Sequence, residues 1–441
     1  MFPALKKNIT LFYSDHHNNQ FLRLMIIGLL IRIILMPFFG HIDVLSEARR
    51  VYYWSENNIF LDYISRNTTM FIEVIFFKLT SFLLPDRNAM FFQPDLYHTT
   101  ASHLHSFEFV SHSTVFRTLF ILKLPFLVCD MLTAWAVYSY FPQKEDGLRS
   151  CAMWLFNPVT LFAFYIFGRF ESIPIFFSAV AFLAVKKHRI LLAAVLLGLC
   201  LNGREMMIFY FLVFLATVIT APVQQVPLKE KILASAIIIF FAAGTLNLFT
   251  AFAGYFQEEG GREVGRILKE GRVVHLFAFS LHRIMAIPLI YSLILIWIWT
   301  SRADIEKKVL LGCALAMMSF FAFSSHTAHF TSWMVIFPVL FYGYDRTLLK
   351  PFIAFCIGWI GHWAFNTDLG VFTWWLAAPF SLHFTRIPTL PEMFQWINNG
   401  QTIFDLRMMI YLFRTFFIAS LIYMAYLMIR VVGKSDETRP V

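Results

Sequence analysis

Residues 21–39 read Phe-Leu-Arg-Leu-Met-Ile-Ile-Gly-Leu-Leu-Ile-Arg-Ile-Ile-Leu-Met-Pro-Phe-Phe, and residues 40–50 continue Gly-His-Ile-Asp-Val-Leu-Ser-Glu-Ala-Arg-Arg. The first piece is apolar and long enough to cross a bilayer, which takes about 20 residues. The second leaves it abruptly. Asp43 therefore stands where the chain exits a hydrophobic span, at the root of a polar, aromatic stretch that lasts until the next span near residue 117. After it, Val44, Ala48 and Val51 fall on one helical side and Glu47, Arg49 and Arg50 on another. Asp43 has two readings at this point. It is an N-cap that starts the helix, or a carboxylate placed for chemistry at the membrane boundary.

Outward from this stretch, the chain repeats the pattern of its first span. Of 441 residues, 59% are hydrophobic and 14% charged, against about 25% charged in a soluble protein. The apolar residues come in long runs, so the fold class is an all-α polytopic membrane protein, a single integral membrane domain over residues 1–441. About 12 spans (10–13) are expected. They lie at 21–39, 117–140, 150–167, 172–186, 190–202, 206–222, 231–254, 274–300, 308–324, 330–344, 349–366 and 406–432. The net charge is +9, but in such a chain the location of Lys and Arg matters more than their sum. No basic array resembles a nucleic-acid surface. Lys144 and Arg149, Lys186, Lys187 and Arg189, Lys229 and Lys231, Arg302, Lys307 and Lys308, then Arg346 and Lys350 fall on alternate connections, and Arg430 and Lys434 follow the last span. The positive-inside rule makes these connections, and both termini, cytoplasmic. Lys6 and Lys7 precede the first span and no small-residue cleavage site follows it, so it reads as a retained signal anchor. No retrieval signal ends the chain, which favours a plasma membrane over the endoplasmic reticulum. Cys129, Cys151, Cys200, Cys313 and Cys356 all lie in apolar runs and read as packing residues.

Three long connections fall on the outer side. The first, 41–116, contains the apolar stretch Met70 to Leu84, which also carries Glu73 and Lys78 and is expected as a helix lying in the interface. The second is 257–272. The third is 366–404, where Val371 to Phe380, with Trp374 and Trp375, suits an interfacial aromatic belt. The sequon Asn67-Thr68-Thr69 faces the same side. No fixed-period repeat and no matching pair of interrupted helices appears, unlike many transporters.

Charged groups at span ends are costly and are functional candidates by default. Arg169 and Glu171 lie between two closely spaced spans, and Arg204 and Glu205 between the next outward-reaching pair. A guanidinium matches phosphate with paired donors; the alternative is an Arg–Glu pair that ties a hairpin, or snorkelling to lipid phosphates. His326 and His329 sit at the outer mouth between two spans, at helical spacing i, i+3. A metal site would need further ligands that this neighbourhood lacks. They read as donors to a phosphate or sugar hydroxyl, or as plain interfacial histidines. Lys123 and Asp130 share a helix face around Pro125; Asp130 is deep enough to need a structural partner, while Lys123 lies nearer the surface, in reach of a lipid phosphate. Asn157-Pro158 marks a helix irregularity.

Taken in order, these residues resemble the multi-span glycosyltransferases that take sugar from a polyprenyl-phosphate carrier, the GT-C superfold, which includes dolichol- and undecaprenyl-phosphate-sugar mannosyl- and glucosyltransferases. The resemblance runs from the first span to about Tyr342. Asp43 occupies the position of the family's Asp just after the first span. Lys-Leu-Pro-Phe-Leu-Val-Cys-Asp from Lys123 to Asp130, Trp-Leu-Phe-Asn-Pro from Trp154 to Pro158 and Gly-Arg-Phe-Glu-Ser from Gly168 to Ser172 are similar to family segments, the last with Glu171 where many relatives have Asp. Leu-Leu-Gly-Leu from Leu196 to Leu199 precedes a polar residue in the family's manner. Arg204 stands where relatives often have Lys, and His326 through Pro338, with Trp333, resembles the family's His-containing outer turn. Some members carry Asp-x-Asp in the first loop; His41-Ile42-Asp43 has one acid only, and no metal or other cofactor is expected to be required.

The resemblance implies that Asp43 acts as general base on an acceptor hydroxyl that attacks the anomeric carbon with inversion, while polyprenyl phosphate leaves. Arg204, His326 and Lys123 would stabilise the departing phosphate, with His329, Arg169 and Glu171 also contacting substrate. The sugar implied is a hexose, with mannose or glucose favoured; the acceptor is a lipid, glycan or protein. A lipid-linked-sugar flippase or other transporter is the main alternative, and a glycan ligase or polymerase the third. Polar residues clustered on one face speak against a transporter, and the early position of the large loop against a ligase. One outer cavity holding Asp43, Arg204 and His326 is the expected geometry.

Overall fold

The computed structural model describes residues 16–57, 67–91, 109–245, 280–281, 284–324, 326–365, 374–397 and 406–437. The expected connection 257–272, and parts of 41–116 and 366–404, lie outside the described residues. Among those described, the chain forms eighteen α-helices. They are α1 (His16–Leu35), α2 (Ile42–Asn57), α3 (Asn67–Thr80), α4 (Arg87–Phe91), α5 (Val115–Leu122), α6 (Leu124–Tyr140), α7 (Lys144–Leu155), α8 (Pro158–Leu161), α9 (Ser172–Lys186), α10 (Ile190–Gly203), α11 (Ile208–Thr220) and α12 (Leu228–Thr245). After a two-residue antiparallel pair, Ser280–Leu281 with Ile284–Met285, come α13 (Ala286–Thr300), α14 (Ile305–Phe323), α15 (Ser332–Tyr344), α16 (Leu349–Phe365), α17 (Leu390–Ile397) and α18 (Leu406–Glu437).

Each of the twelve expected spans contains a helix. Three helical stretches, His16–Leu35, Arg346–Phe365 and Met408–Gly433, are long and apolar enough by themselves to cross a membrane, and α5 with α6 makes a fourth if that pair, bent by 42°, is one span. α9, α10, α11 and α13 are apolar but shorter. The bundle's outward surface fits a hydrocarbon solvent: Leu30, Ile34, Ile232, Phe240, Leu293, Trp299 and Tyr411 are all exposed. In water such a surface would be an aggregation liability.

Two breaks that place functional groups have visible causes. Asn157 accepts the Val159 N–H at 2.8 Å and Pro158 follows, so the helix restarts as α8 and passes into a π-type turn, Phe162–Ile166. The Asn-Pro irregularity is thus a cap. At Gly168 the chain takes φ +84°, and a Cβ there would stand 2.6 Å from Val44 and 2.9 Å from Lys123. Only glycine accepts both conditions, and its absence of a side chain lets the α2 entry close against the α8–α9 connection.

Polar clamps hold the interior. Asp130 is fully buried and accepts from Arg32 Nε at 2.6 Å, Trp154 Nε1 at 2.7 Å and the Tyr165 hydroxyl at 2.7 Å, tying α1, α6, α7 and the π turn together. This is the partner that its depth required. At the opposite end of the bundle from Asp43, Glu306 of α14 accepts from the Tyr140 and Tyr344 hydroxyls, both at 2.6 Å, with Lys186 3.3 Å away over the Tyr140 ring.

The first loop has a core of its own, in which Leu45, Tyr52, Met70, Phe77 and Phe91 pack together. The stretch Met70 to Leu84, expected as an interfacial helix, is helical in α3 as far as Thr80 and continues as a 3-10 turn, Ser81–Leu83. Its Glu73 is buried, while Phe71, Ile75 and Leu79 are exposed. The Thr69 hydroxyl of the sequon is buried and donates to the Gly203 carbonyl at 2.9 Å, and Thr68 donates to Asn202 at 3.0 Å, so this segment is docked on the end of α10.

Candidate functional site

Asp43 lies in the first turn of α2. Its position is fixed by the two residues before it: the Gly40 N–H donates to the Leu376 carbonyl at 3.1 Å and the His41 N–H to the Phe167 carbonyl at 3.0 Å. The helix begins at Ile42, so His41, not Asp43, stands at the N-cap position. The Asp43 carboxylate turns to other partners, with Arg169 Nη1 3.4 Å from Oδ2 and His41 Nδ1 3.5 Å from Oδ1. Its side chain remains 36% exposed. Burial alone would raise the Asp43 carboxyl, but the His41 contact and the positive charges of Arg169 and His41 hold it well below the usual carboxylate range.

Arg169 leaves the π turn with its own N–H bonded to the Ala163 carbonyl at 2.9 Å and its guanidinium over the Phe170 ring. Its Nε is buried and has no hydrogen-bond partner. Burial lowers the Arg169 pKa, but the facing carboxylates of Asp43, Glu47, Glu171 and Glu73 more than reverse this.

Next to it is a second box. Glu171 is fully buried; its Oε2 accepts from Trp333 Nε1 at 2.5 Å and its Oε1 is 3.8 Å from Arg204 Nη2. Arg204, in extended backbone just past α10, is 3% exposed and lies over three rings, Phe170, Phe330 and Trp333. Its Nε and Nη1 have no partner.

His329, in the short turn Ala328–Thr331, closes the site. Its ring stacks on Phe167 at 4.4 Å, and His41 stacks on the same Phe167 at 4.0 Å. Burial pushes the His329 pKa well down, and the charge of Arg169 adds to this; Asp43, Arg204 and His41 act on the same imidazole. Its Nε2 is buried without a partner. The Asp43–Arg169 and Glu171–Arg204 pairs are thus neighbours, with both guanidiniums over the Phe170 ring, and the charges of Asp43, Arg169 and Arg204 all act on His329. A narrow apolar cleft leads off from Arg169 and Gly168 between Val44, Phe77, Ile121 and Phe126.

Two expected members lie elsewhere. Lys123 does not reach toward a lipid phosphate. It is fully buried, and its ammonium donates to the carbonyls of Met36 at 2.9 Å, Phe39 at 2.5 Å and Tyr165 at 2.8 Å, which uses all three of its N–H donors. The breaks after α1 and in the π turn free these carbonyls, and Lys123 satisfies them. His326 does not join Asp43 and Arg204 in one cavity. It contacts Phe321 and Trp363, and the charge that acts on it most is that of Arg414 in α18. His41, by contrast, is a site residue that its place in the sequence marked only as a missing second acid.

Among the described residues no group of three or more His, Cys, Asp or Glu could hold a metal ion. The chain matches no protein-family model and no curated protein with which it was compared.

Proposed function

We propose that this chain is an integral membrane glycosyltransferase, similar to the GT-C enzymes, that moves a hexose from a polyprenyl-phosphate donor to an acceptor hydroxyl with inversion. The observation that carries this reading is Arg204. A buried guanidinium with two unpartnered nitrogens is expensive, on the order of 1–3 kcal/mol for each unmet donor and more for a charged one, and a phosphate oxygen would satisfy it.

In this mechanism the acceptor hydroxyl attacks the anomeric carbon as its proton passes to Asp43. The carbon–oxygen bond to the phosphate breaks, and the phosphate leaves with the electron pair. Arg204, Arg169 and the unpartnered nitrogen of His329 receive the growing negative charge. Arg169 has a double role, because it also pairs with Asp43. When a donor phosphate claims that guanidinium, Asp43 loses a stabilising charge and becomes a stronger base. Glu171 holds Arg204 in place through one oxygen while Trp333 fixes the other.

The finer topology belongs to the same proposal: twelve spans, both termini cytoplasmic, the Asp43 end of the bundle outside, and a plasma membrane as the host. Incubating the purified chain with a panel of polyprenyl-phosphate hexoses and an acceptor mixture tests the reaction. Release of polyprenyl phosphate with an inverted glycoside is the expected result. Folded protein that turns over no member of the panel would overturn it.

A further inference from the structure

The histidine that the candidate site leaves out belongs to a second cluster. Arg414, eight residues into α18, donates from Nη2 to the Ser324 carbonyl at 3.0 Å. His326 Nδ1 lies 3.3 Å from the same carbonyl. A carbonyl only accepts, so this contact puts the imidazole proton on Nδ1 and leaves Nε2 a bare acceptor. That Nε2 is buried without a partner, as are His362 Nδ1 and the Trp363 indole N–H; His362 and Trp363 are 4% and 3% exposed. The other His362 contact is with the Ile410 backbone, which ties α16 to α18. The rings of His326 and His362 lie 5.6 Å and 4.9 Å from that of Trp363.

An apolar groove begins next to this cluster, at Phe323, although Arg414, His326, His362 and Trp363 themselves do not line it. α13 and α18 flank α14 and leave a cavity of about 600 Å³ lined by Leu293, Leu315, Ala322, Leu421, Ala425 and their neighbours. Phe323, next to Ser324, lines it, and Leu421 lies two turns below Arg414 on the same side of α18. Along α14 the lining runs from Leu311 to Phe323, about 18 Å at 1.5 Å per residue. From Arg414 to Ile429, the last lining residue of α18, the path is about 22 Å. One leaflet of hydrocarbon is about 15 Å deep. A chain filling the groove from this end would pass the bilayer midplane.

We infer that the groove between α13, α14 and α18 seats one long single-chain lipid monophosphate, with its head at Arg414, His326, His362 and Trp363. The donors and acceptors select the head. A carboxylate or a phosphate diester offers only acceptors and leaves the bare His326 nitrogen unmet. A neutral alcohol gives Arg414 no counter-charge. A phosphate monoester carrying one proton supplies an acceptor and a donor: its oxygens accept from Arg414 and the Trp363 indole, and its one P–OH donates to a bare imidazole nitrogen, His326 Nε2 or His362 Nδ1. The length of the groove selects the chain. This seat is distinct from the Asp43 site, because His329 and His326 face different partners, and it requires no sugar transfer.

The test is lipid binding to the full chain in detergent micelles, followed by native mass spectrometry with a C55 polyprenyl monophosphate, the matching polyprenol, phosphatidic acid and phosphatidylglycerol. If the Asp43 site also takes the monophosphate, two equivalents bind, so each variant is compared with Asp43→Asn and Arg204→Ala. The expected result is that Arg414→Gln and Ala425→Phe each weaken one equivalent of monophosphate by about tenfold or more, the effect of one charge-assisted contact or of a blocked channel. Asp43→Asn should leave that equivalent unchanged. Ala425 lies on the half-buried wall of the groove, so its variant keeps the test valid if Arg414→Gln fails to fold. Equal binding of the polyprenol would remove the head from the inference, and equal binding of phosphatidic acid would remove the long chain. Unchanged monophosphate binding in both folded variants would overturn it entirely.

Discussion

Arg169 Nη1 stands 3.4 Å from Asp43 Oδ2, across the contact that Gly168 permits between the start of α2 and the chain entering α9. The pair joins residues 126 positions apart and leaves the carboxylate 36% exposed while the arginine is buried. A purely structural ion pair has no need of an exposed acid beside an arginine whose Nε lacks a partner. The arrangement leaves Arg169 with a buried donor that its pair with Asp43 does not use.

Asp43→Asn separates the two roles open to Asp43. Because His41 occupies the cap position, neither Asn nor Ala at 43 should cost the roughly 1 kcal/mol of a lost N-cap. Turnover should nevertheless fall about 10²-fold or more in Asp43→Asn, since an amide takes no proton. Initial-rate sugar transfer beside a thermal melt checks both halves. Near wild-type transfer by the Asn variant would move the base to another carboxylate, such as Glu47.

Arg204→Ala should raise the donor concentration needed for half-maximal rate by more than about tenfold, as a charge-assisted contact is lost. It also leaves Glu171 buried with its Oε1 facing no cation, so a stability loss of about 3 kcal/mol or more is expected. Arg204→Lys keeps the charge over Phe170, Phe330 and Trp333 but not the paired donors. It should recover much of the stability and only part of the donor affinity. Donor titrations on all three proteins read the split; an Ala variant with normal donor kinetics would take Arg204 out of the site.

The Arg32–Asp130 clamp predicts a different pattern, in which only stability moves. Asp130→Asn puts an N–H₂ where Arg32, Trp154 and Tyr165 all donate, and should cost about 3–5 kcal/mol. Replacing both charges, Arg32→Met with Asp130→Leu, should cost less than Asp130→Asn alone, because no buried charge is left unpaired. Melting midpoints of Asp130→Asn, Arg32→Met, Asp130→Leu and the double variant form the test. Additive losses would mean that the two residues do not act as a pair.

Most helices were legible in the sequence because their apolar runs are uninterrupted, and Asp43, Arg169, Glu171, Arg204 and His329 were legible because a charge at a span end is costly. What the sequence hides is direction. His326 and His329 look like neighbours on one helix face, but Thr327 is extended, with φ −93° and ψ 157°, and the chain resumes only as the short turn Ala328–Thr331. The two rings therefore part. Lys123 had the right depth for a phosphate ligand, yet the carbonyls it satisfies are freed by breaks elsewhere in the chain. Arg32 and Asp130 each signal a missing partner by standing in an apolar run; that they find each other across 98 residues is a tertiary fact that no local pattern encodes.

The last prediction concerns pH and follows from His329. Its folded-state pKa lies well below 6.5 because burial and Arg169 oppose the imidazolium. Once unfolded, the imidazole titrates near 6.5. Below that value the unfolded chain binds a proton that the folded chain refuses, so stability is complete above pH 7 and falls as pH drops. One such group gives a slope of up to about 1.4 kcal/mol per pH unit. His326, pushed down to about 3 by burial and by Arg414, acts in the same direction. Asp43 is shifted in the same direction, depressed below its ordinary 3.8. Its contribution is lost only as pH falls through the range below about 4, so it is silent between pH 5 and 8. Melting midpoints across that range should decline toward acid in the wild type and decline less steeply in His329→Gln. Bound donor phosphate should flatten the wild-type slope as well, because an anion beside Nε2 favours the imidazolium and raises the folded-state pKa. Identical slopes in the wild type and His329→Gln would show that the imidazole is already solvated.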